Sequence, residues 1–214
     1  MNGLVGTLTA LISSIVSVTG SVPAPKVATA TCQPVGWASG PVVEGSMFKG
    51  TAFIQCDYDG VGGGGLPELE TYLIERMKRQ ATQIYAGPLY SQQEGMPSTG
   101  YDFSMGLPFQ GETVTIREDG WVATDSQSKL ACVMNSKGIT ATGNGQYLKK
   151  FDMRIDVTSL PTAGKFRARL SAAVQIQKPG LIPVNMFKTQ VQQGVESAVN
   201  DYRDGLIKEL EDNT

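Results

Sequence analysis

The clearest pattern in the chain is an alternation near its C-terminal end. From Lys165 to Lys178, Phe166, Ala168, Leu170, Ala172, Val174 and Ile176 fall on one face; Lys165, Arg167, Arg169, Ser171, Gln175 and Gln177 fall on the other. Only Ala173 blurs the division. A period of two predicts a strand in a sheet with one buried and one wetted face. The preceding run repeats it. Tyr147, Phe151, Met153, Ile155 and Val157 share a face, Lys150, Asp152, Arg154 and Asp156 share the other, and Lys149 interrupts the apolar row. The Pro- and Gly-containing link TSLPTAG makes the two runs an antiparallel hairpin. Asp152 and Asp156 are then expected near Arg167 and Arg169, as weak cross-strand pairs on a solvated face.

The period changes after Pro179-Gly180. Phe187, Val191, Val195, Ala198, Tyr202, Leu206 and Leu210 recur every three or four residues, which predicts one amphipathic helix from Val184 to Leu210. Pro179 and Pro183 end the strand and suit a helix start. About 13 strand residues and about 27 helical residues each span about 40 Å, so the helix can lie along the whole sheet. Gly194 and Gly205 are costly inside a helix and flank Ala198, which implies either a close approach of backbones or space beneath the helix.

Earlier segments read less sharply. Ser46–Asp59 is a strand with Phe48, Ala52, Ile54, Cys56 and Tyr58 on one face, broken by Phe53. Leu66–Ile84 is a second helix, with Leu66, Leu69, Leu73, Met77 and Ile84 inward. Ala86–Gln110 holds short strands and loops whose aromatic residues are expected as core anchors, with the lining of a pocket mouth as the alternative. An antiparallel meander follows: strands at 112–118, 121–124, 129–134 and 139–142, with turns at Asp119-Gly120, Asn135–Gly138 and Gly143–Gly145. Residues 1–31 form an apolar leader or N-terminal arm, 32–45 a connector, and 46–214 a single α+β domain.

Charge and composition narrow the functions. The 214-residue chain carries a net charge of −2, which gives no generic basic surface for nucleic acid. It contains no histidine, which removes Ser-His-Asp and Cys-His catalysis and the commonest zinc ligand. No catalytic set, metal site or cofactor motif stands out. Gly60, Gly62 and Gly65 match G-x-G-x-x-G formally, but the acidic residue and parallel βαβ unit of a dinucleotide site are missing, so the run reads as a linker. Met1–Pro25 is free of charge, with Leu4, Leu8, Leu11, Ile15 and Val18 on one helical stripe and Ala28-Thr29-Ala30 beyond it. A secretory leader, and hence a secreted or periplasmic protein, is one reading. A helix packed on the domain, or a membrane-surface or homo-oligomer contact through residues 1–25, is another. In an oxidising compartment Cys56 and Cys132, each on an apolar strand face, are the candidate pair, with Cys32 left free; the alternative is no bond.

Strand, helix, antiparallel meander and long terminal helix, with the entry KPGLIPVNMF at Lys178–Phe187, resemble the helix-grip fold of the START-like (SRPBCC) superfamily, which includes polyketide cyclases, plant pathogenesis-related allergens and lipid-transfer proteins. The resemblance implies an α+β fold in which a curved antiparallel sheet grips the C-terminal helix. It also implies a hydrophobic, lipid-like small molecule bound between them with no cofactor; non-enzymatic binding is the main expectation, and a cyclase- or hydrolase-like enzyme using the same cavity is a minor one that the missing histidines weaken. The inward positions that would line such a site are Met134, Phe151, Met153, Ile155, Ala168, Leu170, Ala172, Val195, Ala198 and Tyr202. The same residues would equally close-pack a solid core. A structural or interaction subunit of an extracellular or viral assembly, using the N-terminal arm and the sheet face, is the alternative function.

Overall fold

The computed structural model describes residues 29–59, 69, 72, 73, 83–85, 99–106, 113–124, 129–141 and 146–211. They form nine strands in one antiparallel sheet and a long C-terminal helix, Val184–Glu211. The strands are β1 (Thr29–Cys32), β2 (Gly36–Glu44), β3 (Met47–Asp59), β4 (Gln83–Tyr85), β5 (Thr99–Gly106), β6 (Thr113–Thr124), β7 (Lys129–Ala141), β8 (Leu148–Ser159) and β9 (Lys165–Gln177). Their order is β1-β3-β9-β8-β7-β6-β5-β4, with β2 also on β3. The curved sheet and its one long helix make an α+β, helix-grip architecture, as the alternation and the helical stripe predict.

The two strongest sequence patterns fall where periodicity puts them. β9 alternates without a break: Phe166, Ala168, Leu170, Ala172, Val174 and Ile176 are buried and the intervening side chains are half-buried or exposed. On the helix Phe187, Val191, Val195, Ala198, Val199, Tyr202 and Leu206 are buried. Pro183 accepts the first helical hydrogen bond, from the Phe187 amide at 3.0 Å. β8 resolves the Lys149 conflict with a bulge. Leu148 pairs with Ile176 and Lys150 with Gln175, leaving Lys149 as the extra residue. Its charge stays in water, and Leu148, not Tyr147, supplies the next buried side chain. A bulge shifts the alternation by one residue, and here it keeps an ammonium out of the core.

Other expectations change. Residues 32–45, expected as a connector, join the sheet. β1 covers Cys56–Asp59 and β2 covers Met47–Phe53 on the same edge of β3, so 29–44 is one edge strand broken near Gln33. Irregular register and small, Pro- and Gly-rich residues hide its period. The Asp119-Gly120 and Asn135–Gly138 turns do not form: β6 and β7 run through them. The two turn-prone segments lie side by side, Asp119 opposite Asn135 and Gly120 opposite Met134, and the irregularity is absorbed where Arg117 pairs with Gly138 and Glu118 with Ser136. Long pairing on both flanks overrides local turn preference. Leu69, Tyr72 and Leu73 are helical and buried, but Ile84 belongs to β4 instead of the expected helix. The glycine run, residues 1–28 and the Gly143–Gly145 turn lie outside the described residues.

The wetted face holds charges as expected, with different partners. Asp57 binds Arg167 at 2.7 Å, Arg154 holds Asp156, and Lys150 holds Asp152. The Arg167 guanidinium, hydrogen-bonded to Asp57, pulls that carboxyl below the ordinary carboxylate range. Arg169 lies over the Phe53 ring, 4.0 Å from its centroid. That contact explains how an aromatic residue that breaks the β3 pattern is tolerated on the outer face.

The cysteine expectation is wrong. Cys32 and Cys56 are joined, and Cys132 is buried and outside any disulfide. Cys32 is directly opposite Cys56 in the β1–β3 ladder, with Cα atoms 4.0 Å apart. Cys132 is on β7, three strands from β3 in the sheet order. At ~4.8 Å per strand, about 14 Å separates them, beyond the reach of a disulfide.

Candidate functional site

Strand register arranges the inward side chains in rows across β3, β9 and β8. The outermost row is Phe48, Ile176 and Leu148, followed by Gly50, Val174 and Phe151. Next come Ala52, Ala172 and Met153, extended through Met134 on β7 to Gly120 on β6. Then come Ile54, Leu170, Ile155 and Cys132, and then Cys56, Ala168, Val157 and Leu130. The Ala52 row is therefore made of small or unbranched residues, with Val174 and Phe151 on one side and Ile54, Leu170 and Ile155 on the other. Alternation along one strand cannot reveal it, because it depends on which residues neighbouring strands place side by side.

Aromatic contacts close both ends of this layer. At one end Trp37 meets Phe48 edge-on with centroids 6.0 Å apart, and Phe48 meets Phe187 of the helix in the same manner at 6.4 Å. The Trp37 indole N–H donates to Glu196 at 2.8 Å, and the Gln192 amide also donates to Glu196 at 2.9 Å. At the other end Tyr58 and Phe166 stack with centroids 4.8 Å apart. Trp37 is in register with Ala52, so its bond to Glu196 fixes the helix height over the sheet. The helix runs back along β9 from the Phe48 end. Four strand residues from Phe48 to Ala52 cover about 13 Å, which is about nine helical residues beyond Phe187. That arithmetic also puts Val195 and Ala198 at the level of the Ala52 row.

Every expected lining residue with a described side chain is buried. Phe151, Met153, Ile155, Ala168, Leu170 and Ala172 lie on the sheet side, and Val195, Ala198 and Tyr202 lie on the helix. Met134 occupies its register position opposite Met153. The helix's close backbone approach is to β2, β3 and β9, so it sits over one half of the sheet. Tyr58, Tyr72 and Tyr202 bring phenol groups into the apolar layer, each nearly or fully buried. Sequence reasoning missed Trp37, because it fell in the supposed connector; an isolated Trp in a Gly-rich edge segment was the available signal. Among the described residues no group of three or more Cys, Asp or Glu is placed to hold a metal, and no helix is long and apolar enough to cross a membrane.

The arrangement is an α+β domain in which a long C-terminal helix packs on an antiparallel sheet. No protein-family profile matches the sequence, and no curated protein matches it. Among solved structures, the human StarD13 (DLC2) lipid transfer and protein localization domain is 13% identical with a TM-score of 0.38, over 78% of this chain and 89% of that one. A START superfamily protein from Mycobacterium smegmatis is 13% identical with a TM-score of 0.37, over 78% and 99%. Human STARD10 is 9% identical with a TM-score of 0.34, over 81% and 76%. With identities and TM-scores this low, the likeness carries no argument about this chain.

Proposed function

We propose that this protein binds a hydrophobic, lipid-like small molecule between the sheet and the C-terminal helix, without chemical conversion of it. The observation that supports the reading is the small pair Ala52 and Ala172 at the level of Ala198, with Met153 and the register position of Met134 continuing the row beyond the helix, and aromatic contacts at both ends. Alanine takes little volume and methionine adapts to irregular apolar partners. A ligand site is typically apolar with a few polar groups, and the buried tyrosines supply groups of that kind. The Cys32–Cys56 bond supports an oxidising, extracytoplasmic location.

Ala198→Trp tests the binding reading. If the layer yields room to a ligand, the indole takes that room; uptake of a fluorescent fatty acid falls while the unfolding midpoint holds. In a solid core the same change overpacks the site and costs about 1–3 kcal/mol. Native mass spectrometry of the purified protein is expected to show a bound apolar molecule. A strongly lowered midpoint, with no saturable uptake of fatty acids, sterols or apolar dyes by the wild type, would refute the proposal.

A further inference from the structure

Among the described side chains, which include none on β4, β5 or β6, the exposed large apolar ones lie at one end. Four large hydrophobic side chains are notably exposed there: Val42, Leu181, Val184 and Met186. Leu181, Val184 and Met186 belong to the turn between β9 and the helix and to the first helical residues. Val42 lies three residues before Gly45 in the adjoining β2–β3 turn, and the Lys178 amide donates to Ser46 in that turn at 2.6 Å. The two turns therefore form one tip. Leu181 is 100% exposed, whereas its neighbour Ile182 packs against the core and anchors the turn.

This tip is built to hold its shape. The Lys178 ammonium donates to the carbonyls of Pro179 at 3.0 Å, Gly180 at 3.2 Å and Ile182 at 2.9 Å. The Ile182 amide donates to Pro179, and the Phe187 amide to Pro183. Pro179 and Pro183 have no N–H to satisfy. The carbonyls of Pro179, Gly180, Ile182 and Pro183 are thus met internally, which lowers the cost of immersing the turn in a medium that offers few hydrogen bonds. An apolar side chain presented on a fixed loop also loses little additional backbone freedom when it is buried.

We infer that this tip is a membrane-docking surface, with Leu181, Val184 and Met186 entering the interfacial region of an anionic bilayer. Charge selects this occupant. From Lys178 to Gln190 the charged residues are Lys178 and Lys188, with no acid among them, although the chain as a whole carries −2. At the adjoining turn Glu44 is paired with Lys49. Lys188, beside the apolar tip, complements anionic lipid headgroups directly, while Lys178, its ammonium held by three turn carbonyls, contributes its charge alone. A second copy fits worse. A two-fold contact through the tip would bring like charges together, and three or four side chains on a convex tip fall far short of the ~800 Å² per partner of a stable interface. The inference does not depend on a ligand between sheet and helix.

The test is co-sedimentation of the full chain with phosphatidylcholine vesicles, with and without phosphatidylglycerol. Wild type is expected to bind the phosphatidylglycerol-containing vesicles more tightly. Leu181→Asp is expected to weaken that binding roughly tenfold or more with no change in unfolding midpoint, because the side chain is fully exposed in the free protein. A second readout uses Leu181→Cys in a Cys132→Ala background, labelled with an environment-sensitive fluorophore. Its emission is expected to shift blue on vesicles, and that of the same label on Asp204→Cys is not. Equal vesicle binding by wild type and Leu181→Asp, or an unshifted label at 181, overturns the proposal and assigns any attachment to another segment. Wild type that ignores vesicles but self-associates, with Leu181→Asp abolishing the association, overturns it in favour of a second copy.

Discussion

Gly50→Ala tests how the edge strand and the helix are locked together. From the sequence, a glycine inside a strand is a weakness, and alanine should stabilise by about 0.5–1 kcal/mol. The structure reverses the sign. A Cβ on Gly50 would meet the Trp37 ring, 2.5 Å from Cζ3 and 3.0 Å from Cε3, and would touch the Ser39 carbonyl at 3.4 Å. Trp37 has little freedom to retreat. Its indole N–H is bonded to Glu196, and its ring lies edge-on to Phe48. Overpacking of this kind costs about 1–3 kcal/mol; offset by the strand gain, the net loss is about 0.5–2 kcal/mol. Urea unfolding followed by far-ultraviolet circular dichroism measures it without relying on tryptophan emission. The decisive comparison is a double-mutant cycle. In a Trp37→Leu background the clash is gone, and Gly50→Ala should be stabilising, giving a coupling of about 1–3 kcal/mol, the overpacking cost removed. An alanine variant at least as stable as wild type in the Trp37 background, or additive effects, would refute the proposed lock.

Three further outcomes follow from the same contacts. Alkylation in denaturant without reductant should label one thiol, Cys132, and reduction should cost about 3.5 kcal/mol, from closing a loop across a separation of 24 residues; three labelled thiols would contradict the Cys32–Cys56 bond. Leu170→Asp should destabilise severely by burying an unpaired charge, whereas Arg169→Ser should cost no more than about 1 kcal/mol, the worth of an exposed cation over Phe53; comparable midpoints for the two would show that the face assignment of β9 is wrong. The lowered pKa of Asp57 makes its pairing with Arg167 favour the folded state above the ordinary carboxylate range, and that stabilisation is lost as pH falls through the folded pKa. The exposed pair is worth little, so Asp57→Asn should slightly flatten the acid limb of stability against pH; an unchanged acid limb would show that the pair contributes nothing.

The sequence by itself determined the elements with one strong period. β9 and the long helix carry uninterrupted patterns, so burying their apolar faces leaves one register for each and fixes their boundaries to within a residue or so. The first strand was legible for the same reason, at Ser46–Asp59 against the observed Met47–Asp59. Only the tertiary structure decided features that depend on neighbours far apart in the chain. Residues 29–44 become an edge strand because β3 offers them a free edge, and their own composition gives no sign of it. Asp119-Gly120 and Asn135–Gly138 stay extended because each has the other as a ladder partner, so local turn preference loses to pairing across the strands. Cys32 reaches Cys56 because their ladder puts them opposite each other, while similar hydrophobic surroundings left Cys132 indistinguishable by pattern. The candidate site follows the same division: periodicity identified which residues point inward, but the Ala52, Ala172, Met153 and Met134 row exists only through the registers of four strands. The Trp37–Glu196 bond that sets the helix above that row joins residues 159 positions apart, a separation over which no local pattern carries information.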